Sequence, residues 1–151
     1  DKNNIPEAVQ AIEKLRNQFG VPIVNIAIDE DGIGGAVIDS MAEGVIGIVG
    51  NSSPVRVEGQ KENFGNLKSQ LYFYLAKAIN DGKLYVRCSP EDREKITREL
   101  EVQKRRDSDK DGKWWIIKKE QIKDLIGRSP DYADMMSFRM IFEIKDMSQW
   151  I

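Results

Sequence analysis

The chain has 151 residues, a formal net charge of −2 at pH 7, and 40% hydrophobic and 32% charged residues. These values are typical of one soluble globular domain with enough length for a core, and they exclude a disordered chain. The sequence has no histidine and a single cysteine, Cys88, which excludes a histidine base, a histidine-ligated zinc site and an internal disulfide. Any chemistry must therefore use carboxylates, lysine, tyrosine or an oxygen-bound metal ion.

The first fifty residues predict a helix followed by a βαβ unit. Apolar residues at three- and four-residue spacing predict an amphipathic helix over 6–19, which Gly20 ends. A continuous apolar run predicts a buried parallel strand over 21–28. A short helix over 36–42 and a second buried strand over 45–49 follow.

The remaining hundred residues predict four helices, a brief strand and a hairpin. Helical periodicity, the capping pattern that begins at Ser89, and the glycines Gly82 and Gly127 mark the helix ends. The alternation of strands and helices predicts an α/β fold in a single domain, 1–151. The predicted elements are helices over 66–80, 89–100, 119–126 and 130–144, a strand over 84–86 and a hairpin over 101–119.

Acidic residues stand at two positions where metal ligands are common. Asp29 follows the first apolar run, and an acid that ends a buried strand needs a metal, a cation or open solvent to compensate its charge. Ser129 is a good N-cap and Pro130 suits the first helical position, so Asp131 and Asp134 fall near the helix start on one face. Carboxylates brought together in this way can hold divalent metal, although Asp131 could also simply favour the helix dipole.

Two other motifs are incomplete. The glycine turn over 32–35 resembles a dinucleotide fingerprint, but Val37 stands where the third glycine belongs, so a tight turn beside Asp29 is favoured. The segment over 107–112 imitates an EF-hand calcium loop. Its twelfth position is Lys118, where that loop requires glutamate, so a hairpin turn is favoured.

Positive charge concentrates around the predicted hairpin. Such a ribbon could follow a DNA phosphate backbone, or it could be an exposed ribbon with one aromatic residue packed inward. Acids at 107, 109 and 111 lower the net positive charge of the hairpin, so both interpretations remain open. The candidate DNA-binding residues are Lys104, Arg105, Arg106, Lys113 and Lys118, beside Trp114 and Trp115.

The segments over 26–39, 66–73 and 128–134, in this order and spacing, resemble the nuclease domain of phage terminase large subunits. The resemblance implies an RNase H-like fold, with a mixed sheet flanked by helices. It also implies a metal-dependent endonuclease that cuts concatemeric double-stranded DNA as a capsid fills. Asp29 and Asp131 match two members of the family's acidic cluster, and Asp134 is an adjacent candidate ligand. Two Mg²⁺ or Mn²⁺ ions would be the cofactors.

The chain departs from the family at its N-terminal side. In the family, a strand carrying a first aspartate and two further strands precede the helix that matches 6–19. No phosphate-binding loop of an ATPase occurs either. We therefore expect a partial domain of a longer protein, whose ATPase domain lies in the same full-length chain. By itself this part could be inactive.

The resemblance also implies partners and a location. Double-stranded DNA, the portal and the small terminase subunit are the expected partners, without a membrane, in the cytoplasm of the bacterial host. Two alternatives remain. One is a non-catalytic module that docks DNA or the portal, and the other is a different RNase H-like nuclease such as a junction resolvase.

Overall fold

The computed structural model describes residues 4–106 and 112–148, and the chain divides after Gly50 into two compact units. The first unit is a helix followed by a βαβ unit, as the sequence predicts. β1 and β2 pair in parallel, with Ala27 opposite Ile46 and Asp29 opposite Ile48. The elements are α1 (Ile5–Phe19), a 3₁₀ turn (Ile23–Asn25), β1 (Ala27–Asp29), α2 (Gly34–Asp39) and β2 (Ile46–Ile48).

The strand predicted over 21–28 is wrong in its first half. The N–H of Asn25 donates to the carbonyl of Pro22, and the N–H of Ile26 donates to the carbonyl of Ile23. These donors are used inside the 3₁₀ turn and are not offered to a neighbouring strand. The strand therefore begins only at Ala27.

The second unit is mainly helical. Its core forms where α3 packs along α6, and Leu71, Leu75 and Ile144 are buried there. β3 pairs with β4 in antiparallel register, so the predicted hairpin is confirmed, while its turn over 107–111 lies outside the described residues. The elements are α3 (Leu67–Asn80), α4 (Pro90–Glu101), β3 (Arg105–Arg106), β4 (Trp115–Ile116), α5 (Lys119–Ile126) and α6 (Asp131–Ser148).

The strand predicted over 84–86 does not form. The segment has no ladder partner in the part of the chain that the structure describes, and the side chain of Tyr85 is 87% exposed. β-branched and aromatic composition favours a strand only where a neighbour accepts the pairing.

The predicted α/β class is confirmed, with helices around small sheets. Over the described residues the strands form two separate two-stranded sheets, one parallel and one antiparallel. In the same residues, no helix has the length and apolar character that a membrane crossing requires.

Candidate metal centre

Asp29 ends β1 and its side chain is only partly buried. Its Oδ1 accepts a hydrogen bond of 3.1 Å from the N–H of Asp31, which turns the chain away from the sheet. The second carboxylate oxygen is not used by this turn. Partial exposure removes most of the cost of a buried acid, and the carboxylate remains a hard oxygen donor of the kind that Mg²⁺ prefers.

The glycine turn holds the start of α2 against the backbone of Asp29. A Cβ atom at Gly34 would overlap the carbonyl oxygen of Asp29, whereas a Cβ at Gly35 would meet only an ordinary contact at 3.6 Å. The sequence-based interpretation of a close approach at this turn is therefore confirmed for Gly34.

The start of α6 presents two acids in different environments. Asp131 is exposed, whereas Asp134 is 6% exposed, and both lie in the first turn of the helix. The N–H of Asp134 donates to the carbonyl of Pro130 at 2.9 Å. The negative charges stand at the positive end of the helix dipole, which stabilises them.

Two side chains of α3 hold the carboxylate of Asp134. The ammonium of Lys68 lies 2.7 Å from Oδ1 and 2.8 Å from Oδ2. The hydroxyl of Tyr72 donates to Oδ1 at 2.6 Å. Lys119 lies farther away, with its Nζ 4.0 Å from Oδ2. Lys68 and Tyr72 stand one helical turn apart, so a single face of α3 supplies both partners.

Burial raises the pKa of the Tyr72 hydroxyl well above its ordinary value of 10.0, and the negative charge of Asp134 raises it further. In the unfolded chain this hydroxyl ionises near pH 10, while in the folded chain it stays protonated. The contribution of Tyr72 to stability is therefore complete below about pH 10 and is lost as the pH rises above it.

We expect Tyr72→Phe to lower the free energy of unfolding by about 1.5–3 kcal/mol at pH 7, because a buried hydrogen bond to a charged group is lost. The variant should also lose less stability than the wild type above pH 10. Urea unfolding at pH 7 and pH 10.5 measures both effects. Tyr85→Phe, which changes an exposed side chain, is the control and should match the wild type at both pH values.

Glu99 is a buried acid that was not predicted from the sequence. Its side chain is fully buried, its Oε2 accepts from the N–H of Ala133 at 2.7 Å, and its Oε1 is ion-paired with Arg128. It caps α6 from another helix. The available sequence signal was its position three residues after Ile96, on the inner face of α4.

The basic hairpin uses its aromatic residues for packing. The guanidinium of Arg105 lies 4.4 Å from the ring centre of Trp114, and that of Arg106 lies 5.0 Å from the ring centre of Trp115. Trp114 also packs against Phe73, with ring centres 5.0 Å apart. Both tryptophans are thus engaged within the second unit.

The cations of the hairpin differ in exposure. Lys104, Arg105 and Lys118 are exposed, whereas Arg106 and Lys113 are half-buried. The EF-hand-like loop falls mainly on residues outside the described part of the chain. The predicted DNA contact at these five cations stays a prediction.

The structure brings Asp131 and Asp134 together at one helix start, and it places Asp29 in the other unit. Within each unit, over the described residues, no three acidic or cysteine side chains cluster around a point that could hold a metal ion. The donor chemistry of the three aspartates fits a hard divalent cation. A site shared by all three remains a prediction.

Three solved structures from bacterial virus Sf6 are similar to this chain. A lysine-to-alanine mutant of the large-terminase nuclease domain, solved with manganese and β-thujaplicinol, has 20% identity and a TM-score of 0.66, covering 89% of this chain and 71% of that one. The mutant with calcium has 21% identity and a TM-score of 0.57, covering 76% and 63%. The nuclease domain without that mutation has 20% identity and a TM-score of 0.55, covering 74% and 60%.

The chain thus spans between 60% and 71% of the length of these structures. No protein-family model and no curated protein matches the sequence. At this level of identity the likeness concerns the fold, and it confirms the architecture that the sequence resemblance implies. The chain has the RNase H-like α/β fold of a phage large-terminase nuclease domain.

Proposed function

We propose that this chain is the metal-dependent endonuclease domain of a large terminase subunit that cleaves concatemeric double-stranded viral DNA during packaging. One observation carries the proposal. The chain shares its fold with terminase nuclease domains, and it carries acidic residues at the end of β1 and at the start of α6. The Sf6 domains were solved with manganese or calcium, which supports Mg²⁺ or Mn²⁺ as the cofactor here.

Asp29, Asp131 and Asp134 would hold the ions. When bound, two such ions supply an activated water nucleophile and charge stabilisation at the leaving oxygen. Lys68 and Tyr72 fix the orientation of the Asp134 carboxylate, and Lys68 offsets the repulsion between the acids at the helix start. The absence of histidine is compatible with this chemistry, because a water molecule activated by metal ions needs no histidine as a base.

The positive charge of the hairpin supports DNA as the binding partner. Exposed Lys104, Arg105 and Lys118 would contact the DNA backbone, with Arg106 and Lys113 beside them. The proposed setting is a longer terminase chain with an ATPase domain. That chain would work with the portal and the small subunit in the cytoplasm of the bacterial host.

One observation favours the second candidate, a non-catalytic module that docks DNA or the portal. Both oxygens of Asp134 already have protein partners, and Lys68 neutralises the charge that a metal would need. If this pairing persists in the presence of metal, Asp134 is a structural acid. A junction resolvase would share the fold and is distinguished by its branched substrate.

A plasmid-nicking assay with Mn²⁺ on the full-length protein tests the proposal. We expect Asp29→Asn and Asp131→Asn each to lower the nicking rate by more than about 100-fold, because losing a metal ligand removes several kcal/mol of transition-state stabilisation. Asp124→Asn, which changes an exposed acid of α5, is the control and should nick like the wild type. DNA binding without any metal-dependent nicking would support the docking module instead. A preference for four-way junctions would support the resolvase.

A further inference from the structure

The start of α6 is held in place by a buried side chain from a different helix. We propose that Glu99 is a positioning residue for Asp131 and Asp134, acting through the backbone of α6 and never touching metal or DNA itself. The inference rests on the proposed function, because it concerns how the acids of that same site are held. Glu99 lies in α4, thirty-two residues before Asp131 in the sequence.

The contacts of Glu99 determine what it can do. Its Oε2 accepts the N–H of Ala133, which lies between the two acids, and its Oε1 is ion-paired with Arg128 just before the helix. The first N–H groups of a helix have no partner within that helix, so this bond fixes the direction of the first turn. Glu99 is 0% exposed and its two oxygens are engaged by the backbone N–H of Ala133 and by Arg128, so we assign it a supporting role and not that of a metal ligand.

The charged side chains around the start of α6 indicate how its acids are held in place. The carboxylate of Glu99 contacts the first turn of α6, the same turn that carries Asp131 and Asp134. Arg128 pairs with Glu99 on one side, and Lys68 pairs with Asp134 on the other. Lys68 thus orients the carboxylate of Asp134 directly, while Glu99 orients the backbone of the turn that carries both acids, as supporting partners of metal ligands commonly do.

Glu99→Gln is the sharpest substitution, since it keeps the size of the side chain. Its amide oxygen can still accept from Ala133, but its amide hydrogens would face the guanidinium of Arg128, where two donors repel. We expect Mn²⁺ affinity, measured by calorimetry, and kcat for nicking each to fall by about 10–100-fold. KM for DNA should stay unchanged, because the hairpin cations are untouched.

Tyr132→Phe is the matched control. It removes another tie between α4 and α6, the 3.0 Å hydrogen bond from the Tyr132 hydroxyl to Asp92, without touching the Ala133 N–H. It should leave Mn²⁺ affinity and kcat as in the wild type. Equal losses in both variants would show that any loosening of the two helices has the same effect, and would overturn the specific role of Glu99.

A third measurement separates this inference from the proposed function. Amide hydrogen exchange at Ala133 and Asp134, followed by NMR without metal, should be faster in Glu99→Gln than in the wild type. Unchanged exchange, or unchanged Mn²⁺ affinity in a folded variant, overturns the inference while the nuclease proposal stands. A wild-type protein that neither binds Mn²⁺ nor nicks DNA overturns the nuclease proposal itself.

If Glu99→Gln does not fold, Arg128→Lys is the second variant. It keeps the positive charge but loses the two-pronged geometry of the guanidinium, and it should show a smaller loss of Mn²⁺ affinity and of kcat.

Discussion

Gly34→Ala is expected to lower the free energy of unfolding of the first unit by about 3 kcal/mol, at the upper end of the range for overpacked sites. The added methyl group would overlap the carbonyl oxygen of Asp29, which belongs to the backbone and cannot rotate away. Either α2 or the end of β1 must shift. The shift would move the Asp29 carboxylate, so nicking should be lost as well.

The neighbouring glycine provides the control. A methyl group at Gly35 would meet its nearest atom at 3.6 Å, an ordinary van der Waals contact. Because alanine is the better helix former, Gly35→Ala should raise stability by up to about 1 kcal/mol and leave nicking unchanged. Urea unfolding of both variants, followed by circular dichroism, makes the comparison. Equal stability of the two variants would contradict the packing described at Asp29.

Arg128→Met is expected to lower the free energy of unfolding by about 3 kcal/mol. Removing one partner of a buried ion pair leaves the other charge uncompensated, and Glu99 has no exposure to water. This loss is at the low end of the range for broken buried ion pairs, because the side chain of Arg128 is itself 39% exposed and water partly screens its interaction with Glu99.

Arg139→Met is the matched control for Arg128→Met. Arg139 pairs with Glu143 at 2.8 Å on the surface of α6, and both side chains are more than half exposed. Exposed pairs of this kind contribute less than about 1 kcal/mol. The double variant Glu99→Met with Arg128→Met should recover only part of the stability, since apolar residues can replace the buried pair but leave the N–H of Ala133 without its acceptor. Equal losses in Arg128→Met and Arg139→Met, measured by urea unfolding, would contradict the buried pair.

Helix positions were predictable because their signals are local. Asn66 caps α3 by accepting from the N–H of Ser69, Ser89 caps α4 by accepting from the N–H of Asp92, and Gly127 ends α5 with a φ of 75°. Each signal lies within a few residues of the end that it marks. The ends of these helices can therefore be predicted from a few neighbouring residues, without knowledge of the rest of the fold.

Strands and supporting side chains were less predictable because they depend on distant partners. The strand predicted over 84–86 failed for lack of a neighbour, and the run over 21–28 was partly taken up by a 3₁₀ turn. Candidate acids could be named from local pattern alone. Local spacing places Glu99 on the inner face of α4, but the roles of Glu99 and Lys68 could not be named, since their partners Ala133 and Asp134 lie 34 and 66 residues away along the chain.

The proposed function requires Asp29 and the acids of α6 to bind the same metal centre. Anomalous diffraction from crystals soaked in Mn²⁺ tests it most directly. We predict manganese coordinated by the carboxylate of Asp29 and by that of Asp131 or Asp134, at one ion or at two ions about 3.5–4 Å apart. Manganese bound at only one of these elements, with the Asp29 and Asp131 carboxylates more than roughly 10 Å apart, would contradict the account.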